Sequence, residues 1–185
     1  GNQGTQGRGT YGGGVNYFNP EYEIYSRYMY SPIEKKGLSN PVVGRTIEDK
    51  DGNLWIGTEG GGLNRLDIRS GRFTHYRTEA GNPETLPSDI IRDIAPYQDH
   101  LVIATQNGIC LFDPADGKCQ QLFQDSKEGK KIKMVADVTF DSNGTLWIAA
   151  TGDGVFSYRF DTGKLTNYRH DTADPHRVSN NNVNN

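Results

Sequence analysis

The chain has 185 residues, 23 of them glycine, and sets 20 Lys and Arg against 23 Asp and Glu for a formal net charge of −3. That balance leaves no electrostatic footprint for nucleic acid or an anionic membrane surface, and no apolar run approaches the ~20 residues of a membrane-spanning helix. Abundant glycine and tyrosine with modest apolar content fit short strands and tight turns, not a helical bundle.

In chain order, "TQGRGT" leads into "GTYGGGVNYFNPEYEIYSRY" (9–28), two strand-like stretches behind a glycine link. A shift of 48 residues lays that segment on "GTEGGGLNRLDIRSGRFTHY" (57–76). The second unit begins earlier, with "VVGRTI" (42–47), a D-x-x-G turn at 49–52 and "LWIGT" (54–58). The third unit reads "IIRDIA", "LVIAT", "GICLFD" and "CQQLF" between 90 and 123. The fourth reads "MVADVTF", "LWIAA", "GVFSYRFD" and "LTNYR" between 134 and 169, with Trp147 falling on Trp55 at a shift of 92. The closing "VSNNNV" (178–183) supplies the innermost strand of a further unit. Polar connections rich in turn residues, such as "TEAGNPETLPSD" and "QDSKEGKKIK", separate the units.

A period of 45–48 residues carrying four strands per unit predicts an all-β chain: a β-propeller fragment of about four four-stranded blades. Apolar alternation, β-branched and aromatic residues and turn chemistry agree on this, and helix is expected to be minimal. The repeats fall at about 9–36, 37–80, 86–126 and 132–171, with the next beginning at 178–185, in a single propeller segment. The N-terminal residues start at a second or third strand, and the C-terminal strand lacks a partner. Closure within one chain, completion of a ring by a second chain and an open arc all satisfy that pattern, and exposed strand edges favour self-association.

The glycine loop Glu59–Gly62 invites a phosphate reading, but a phosphate loop opens onto a helix N-terminus, and here the alternating "GLNRLD" follows. Gly57, Gly61 and Gly62 are instead expected to shape the blade, where strands approach closely or φ is positive. Asp49 and Asp51 have the spacing of calcium-loop oxygens without the further carboxylates, so a hairpin turn is expected. Trp55 and Trp147 are expected as packing between blades. The four histidines, at 75, 100, 170 and 176, have no metal-ligand spacing, and His75 reads as an exposed outer-strand position. No metal, cofactor or catalytic residue is expected. Cys110 and Cys119 flank one turn and admit a disulfide in an exported protein, although their repeat equivalents suggest opposite facings.

The pattern D-x-x-G-x-L-W-I-G-T-x-x-G-G-L-x-x-L-D, then F-x-x-Y, then L-S-x-N-x-V, resembles the two-component regulator propeller repeat. Asp49 to Tyr76 carries it almost complete, Gly144 to Tyr168 carries it well, and Leu38-Ser39 and the final "VSNNNV" resemble its linking element. The resemblance covers nearly the whole chain. It implies part of the periplasmic sensor region of a sensor histidine kinase, often a hybrid kinase responding to oligosaccharide. Signalling would then be a conformational change passed across the membrane, with the remaining blades or a second chain as partner. The chain is expected to be a non-enzymatic piece of such a sensor, without its own nucleic-acid partner or membrane insertion. A ligand would meet rim loops, with Tyr11, Glu59 and Arg65 as the candidate contacts. A structural or dimerisation propeller without a ligand, and a carbohydrate-active propeller enzyme, are the competing readings.

Overall fold

The computed structural model describes residues 6–10, 14–19, 24–33 and 36–169. Every regular element among them is a strand, apart from one turn of 3-10 helix at Gly129–Lys131. The strands fall into two compact units. One comprises residues up to Arg77 together with Asp89–Ile91, and the other Thr78–Ser88 together with residues from Arg92 onward.

The first unit opens with a three-stranded antiparallel sheet of β1 (Gln6–Thr10), β2 (Gly14–Asn19) and β3 (Ile24–Tyr28). The "QGRGT" stretch therefore serves as a strand although it lacks the apolar "LWI". Its backbone pairs with β2 from Gln6↔Phe18 to Thr10↔Gly14. The second sheet runs in sequence order through β4 (Val43–Glu48), β5 (Asn53–Thr58), β6 (Leu63–Asp67) and β7 (Arg72–Tyr76). Every residue of β5 is buried, which its short apolar run requires of a strand covered on both faces. Leu54, Ile56, Leu66 and Phe73 pack with Val15 and Leu38 as the core of this unit.

The second unit repeats the design twice. One sheet is β8 (Ile91–Tyr97, from Arg92 onward), β9 (His100–Thr105), β10 (Gly108–Phe112) and β11 (Cys119–Gln121). The other is β12 (Val135–Phe140), β13 (Leu146–Ala150), β14 (Gly154–Arg159) and β15 (Lys164–Tyr168). Val102, Ala104 and Ile109 of the former join Val138, Leu146, Ile148 and Phe156 of the latter in one core. Each four-stranded antiparallel meander is a propeller blade, as the repeat predicted. The innermost strands β4 and β12 share a local irregularity, with register shifts between Val43 and Thr46 and between Val135 and Asp137. A bulge there re-aims the side chains that follow it. The C-terminal strand expected at 178–183, and any closure through it, lie outside the described residues.

A carboxylate locks the first turn of two blades. Asp49 Oδ1 accepts from the amides of Asp51 and Asn53, both at 2.9 Å, and Oδ2 accepts from Trp55 Nε1 at 2.8 Å. Asp141 does the same with Asn143 and Thr145 at 2.9 Å, and with Trp147 Nε1 at 2.9 Å. Both carboxyls are held below their ordinary value. For Asp49 these hydrogen bonds outweigh the upward push of burial; for Asp141 the Trp147 bond is the leading cause. The Asp49 turn is thus a hairpin device whose oxygens are spent on the protein.

Candidate functional site

The glycine loop of the second blade is filled from within. Glu59 N donates to Val42 O at 3.0 Å, and Gly60 N and Gly62 N donate to Asp89 O at 3.0 and 2.8 Å. Gly61 N donates to Thr58 Oγ1 at 3.0 Å. A loop whose amides are engaged in this way has none left to cradle an anion. Glycine is demanded by space at three positions. A Cβ on Gly62, where φ is +76°, would lie 2.1 Å from Tyr76 O, and one on Gly61 would lie 2.4 Å from Ser39 Oγ. A Cβ on Gly57 would press on Ile91 Cγ2 at 2.6 Å.

Beneath the loop sits a buried polar brace. Ser39 N donates to Asn64 Oδ1 at 2.8 Å, Asn64 Nδ2 donates to Ser39 Oγ at 2.6 Å, and Ser39 Oγ donates to Gly61 O at 2.8 Å. This is what the Leu38-Ser39 linking element does: Leu38 enters the core and Ser39 pins the glycine loop. His75 is half-buried rather than exposed, with Nε2 2.8 Å from Gly37 O, because its strand folds against the same linker.

The three rim residues named as ligand contacts do not form a site among the described residues. Tyr11 lies outside them. Glu59 is exposed at the loop and bridges Ile90 through its backbone. Arg65 lies along the blade face instead, opposite Trp55 in register, with its guanidinium carbon 5.7 Å from the centre of that ring. It also hydrogen bonds Tyr76, whose ring stands 5.8 Å from Trp55 and whose hydroxyl burial pushes above its ordinary value. Trp55 is fully buried in this stack. In the fourth blade Trp147 is half-buried and stands 5.7 Å from Tyr168, with Ser157 at the arginine's position.

The described residues do hold a cleft, at the rim of the third blade. Its volume is about 420 Å³ and it opens beside Asn107 and Gly108, in the turn between β9 and β10. That turn is the repeat equivalent of the Glu59 loop. Asn107, Gln121 and Gln124 line the cleft with Phe123, Lys130 and Lys133, and no Asp or Glu does. Gln124 Nε2 donates to Gln121 Oε1, which ties two of the amides together. Phe123 has φ of 68°, a conformation that costs a bulky side chain of order 1–3 kcal/mol. Its ring packs edge-on to Tyr158 at 4.7 Å. The far wall folds back so tightly that a Cβ on Gly129 would lie 2.1 Å from Phe123 O. Sequence reading missed this cleft because its lysines look like a solvated loop; the signal was the compact "KEGKKIK" insertion beside the shortened glycine link.

A second feature lies deeper in the same unit. Asp93 of β8 is only 4% exposed, and its carboxylate accepts from Ile94 N at 2.8 Å and Val138 N at 3.0 Å. Burial, and then the neighbouring Asp137 carboxyl, push it up to about 6. Its oxygens brace two inner strands, which leaves this pair a structural part. Among the described residues, no group of three or more His, Cys, Asp or Glu side chains is placed to hold a metal ion.

A family model described as the SMP-30/Gluconolactonase/LRE-like region matches residues 44–185. The chain belongs to that family. It is 28% identical over 141 residues to Histidine kinase P4 of Formosa agariphila, covering 75% of the chain and 10% of the kinase. Its fold is similar to the extracellular domain of BT3049, described as a hybrid two-component system of B. thetaiotaomicron. The TM-score is 0.69 at 24% identity, over 90% of this chain and 22% of that one. PorZ, a surface component of the type-IX secretion system of Porphyromonas gingivalis, is similar at TM-score 0.66 and 15% identity, over 94% of this chain and 26% of PorZ. The chain thus spans a tenth of the kinase it matches and about a fifth of the BT3049 domain. The resemblance to a two-component sensor propeller, read from the repeats, is borne out. The described residues contain no helix long and apolar enough to cross a membrane.

Proposed function

We propose that this chain is part of the periplasmic sensor propeller of a hybrid histidine kinase and contributes an oligosaccharide site at the Asn107–Lys133 cleft. One observation carries the reading: Asn107, Gln121, Gln124, Phe123, Lys130 and Lys133 all line a cleft of about 420 Å³ at a blade rim. Gln121 is spent on Gln124 and on Pro83 O, so sugar hydroxyls would take up the amides of Asn107 and Gln124, while an aromatic face receives the apolar side of a pyranose. Lys130 and Lys133, with no lining carboxylate to offset them, favour saccharides bearing carboxylate or sulfate groups. Occupancy would bias the blade rim toward one arrangement, and the kinase would read that bias as a shift between two states of the sensor. The segment itself is assigned no catalytic step.

The test is calorimetric titration of the chain with neutral and acidic oligosaccharides, followed by the Asn107→Ala and Gln124→Ala variants. Saturable binding that either variant weakens by tenfold or more is the expected result. Binding that both variants leave unchanged, or no binding across a broad glycan panel, would overturn the assignment of the cleft.

A second reading, a propeller that serves self-association, is favoured by the exposed apolar side chains of Met29, Tyr30 and Ile33. Light scattering decides it. A dimer that Ile33→Glu dissociates would support an interface there, and a concentration-independent monomer would remove it.

A further inference from the structure

Cys110 and Cys119 lie on the adjacent strands β10 and β11. In register Cys110 faces Gln121 and Phe112 faces Cys119, so the two cysteines are diagonal neighbours on one face of the hairpin. The expectation of opposite facings fails because β11 pairs so that Cys119 sits two residues from the Cys110 partner, which preserves the facing. Both side chains are buried, and their Sγ atoms stand 2.9 Å apart as free thiols. Covalent closure to ~2.05 Å asks for less than an ångström of movement.

We propose that Cys110 and Cys119 form a disulfide in the exported protein and that this bridge fixes one wall of the Asn107–Lys133 cleft. The proposal rests on the extracytoplasmic placement argued above, since such bridges persist in oxidising compartments. β11 is the shortest outer strand of its unit, three residues long, and its last residue is the cleft-lining Gln121. Leu122 comes next, its amide donating to Ile109 O at 2.9 Å, and Phe123 and Gln124 follow directly into the cleft. A crosslink at the start of β11 therefore restrains the backbone from which this wall hangs.

The oxidant is a disulfide-bearing carrier, either a dithiol oxidoreductase or glutathione disulfide. A thiolate of the pair attacks the carrier to give a mixed disulfide, and the second thiol displaces it. Both S–H bonds are lost, one S–S bond forms, and the two electrons and two protons leave on the reduced carrier. The adjoining thiol and burial hold the Cys110 proton tightly, so this exchange belongs to folding, before the hairpin is covered.

The chain is unfolded, refolded in a glutathione redox pair poised like an oxidising compartment, then denatured, treated with iodoacetamide and weighed. The expected product carries no alkyl label and is lighter than the reduced chain by two hydrogens; two labels would overturn the bridge. Amide exchange of Gln121–Gln124, compared between oxidised and reduced chains, is expected to quicken several-fold on reduction, and equal rates would overturn the link to the cleft wall. Because the glutathione pair stands in for the compartment, failure here removes the bridge while the sensor reading stands or falls on the glycan titration.

Discussion

Replacing Asp137 by asparagine tests the electrostatics between the inner strands β8 and β12. Asp93 is buried, and it must ionise beside a second carboxyl while holding two backbone amides. Its pKa rises from the ordinary 3.8 to about 6, mainly through burial and next through Asp137. At pH 5 the folded chain therefore holds a proton that the unfolded chain has released. Stability from this group is fully present below about pH 4 and is lost as pH rises through 6. A shift of about two units corresponds to ~3 kcal/mol between those limits, at ~1.4 kcal/mol per unit. Asp137→Asn removes the charge and offers an N–H to Asp93, but it leaves the burial, so it should return ~1–2 kcal/mol of this at pH 7. Urea unfolding of both proteins at pH 4, 5, 6 and 7 gives the variant-minus-parent difference. That difference cancels the opposing acid titration of Asp49, Asp67 and Asp141. It should grow in the variant's favour from pH 4 to 7. A flat difference, or one that moves against the variant, would refute the reasoning.

Two further outcomes follow from the blade geometry. Asp49→Ala strands the amides of Asp51 and Asn53 and the Trp55 indole N–H, at a cost of ~1–2 kcal/mol given the turn's partial exposure. Because this carboxyl is held low, the loss should be full above pH 4 and fade under more acid conditions, measured by chemical denaturation. Gly62→Ala places a Cβ 2.1 Å from Tyr76 O at positive φ and should lower the thermal midpoint by several degrees, from a cost of ~1–3 kcal/mol. An unchanged midpoint would mean the loop yields freely.

The blades were legible because the turn and core positions recur from copy to copy. Trp55 and Trp147 recur above an aspartate six residues earlier, and the structure gives the reason: each indole N–H needs that carboxylate. The hydrogen bond itself was not read from the sequence, although the D-x-x-x-x-x-W spacing contains it. "QGRGT" carries no apolar residue, yet its backbone pairs with β2 along its whole length. The opposite facings expected for the cysteines failed although the copies agree. Leu66 pairs with Phe73 as Phe112 pairs with Cys119, so Asn64 and Phe73 share a face just as Cys110 and Cys119 do.

Repetition also explains why the candidate site was hard to see. Glu59 and Arg65 drew attention because they stand within a well-formed repeat. There the loop amides are already engaged, and the arginine is stacked on Trp55 and Tyr76. The cleft forms where the third copy departs from its siblings: one residue fewer in the glycine link, a short outer strand and a basic connection folded back through Gly129. The shortened link at Asn107 and the folded connection at Gly129–Lys133 both line that cleft. Phe123 is held there at positive φ, and a strained bulky residue persists only where its surroundings over-determine it. In a repeat protein, then, the recurring pattern identifies the scaffold, and the place to look for a ligand is the copy that breaks the pattern while still burying its core.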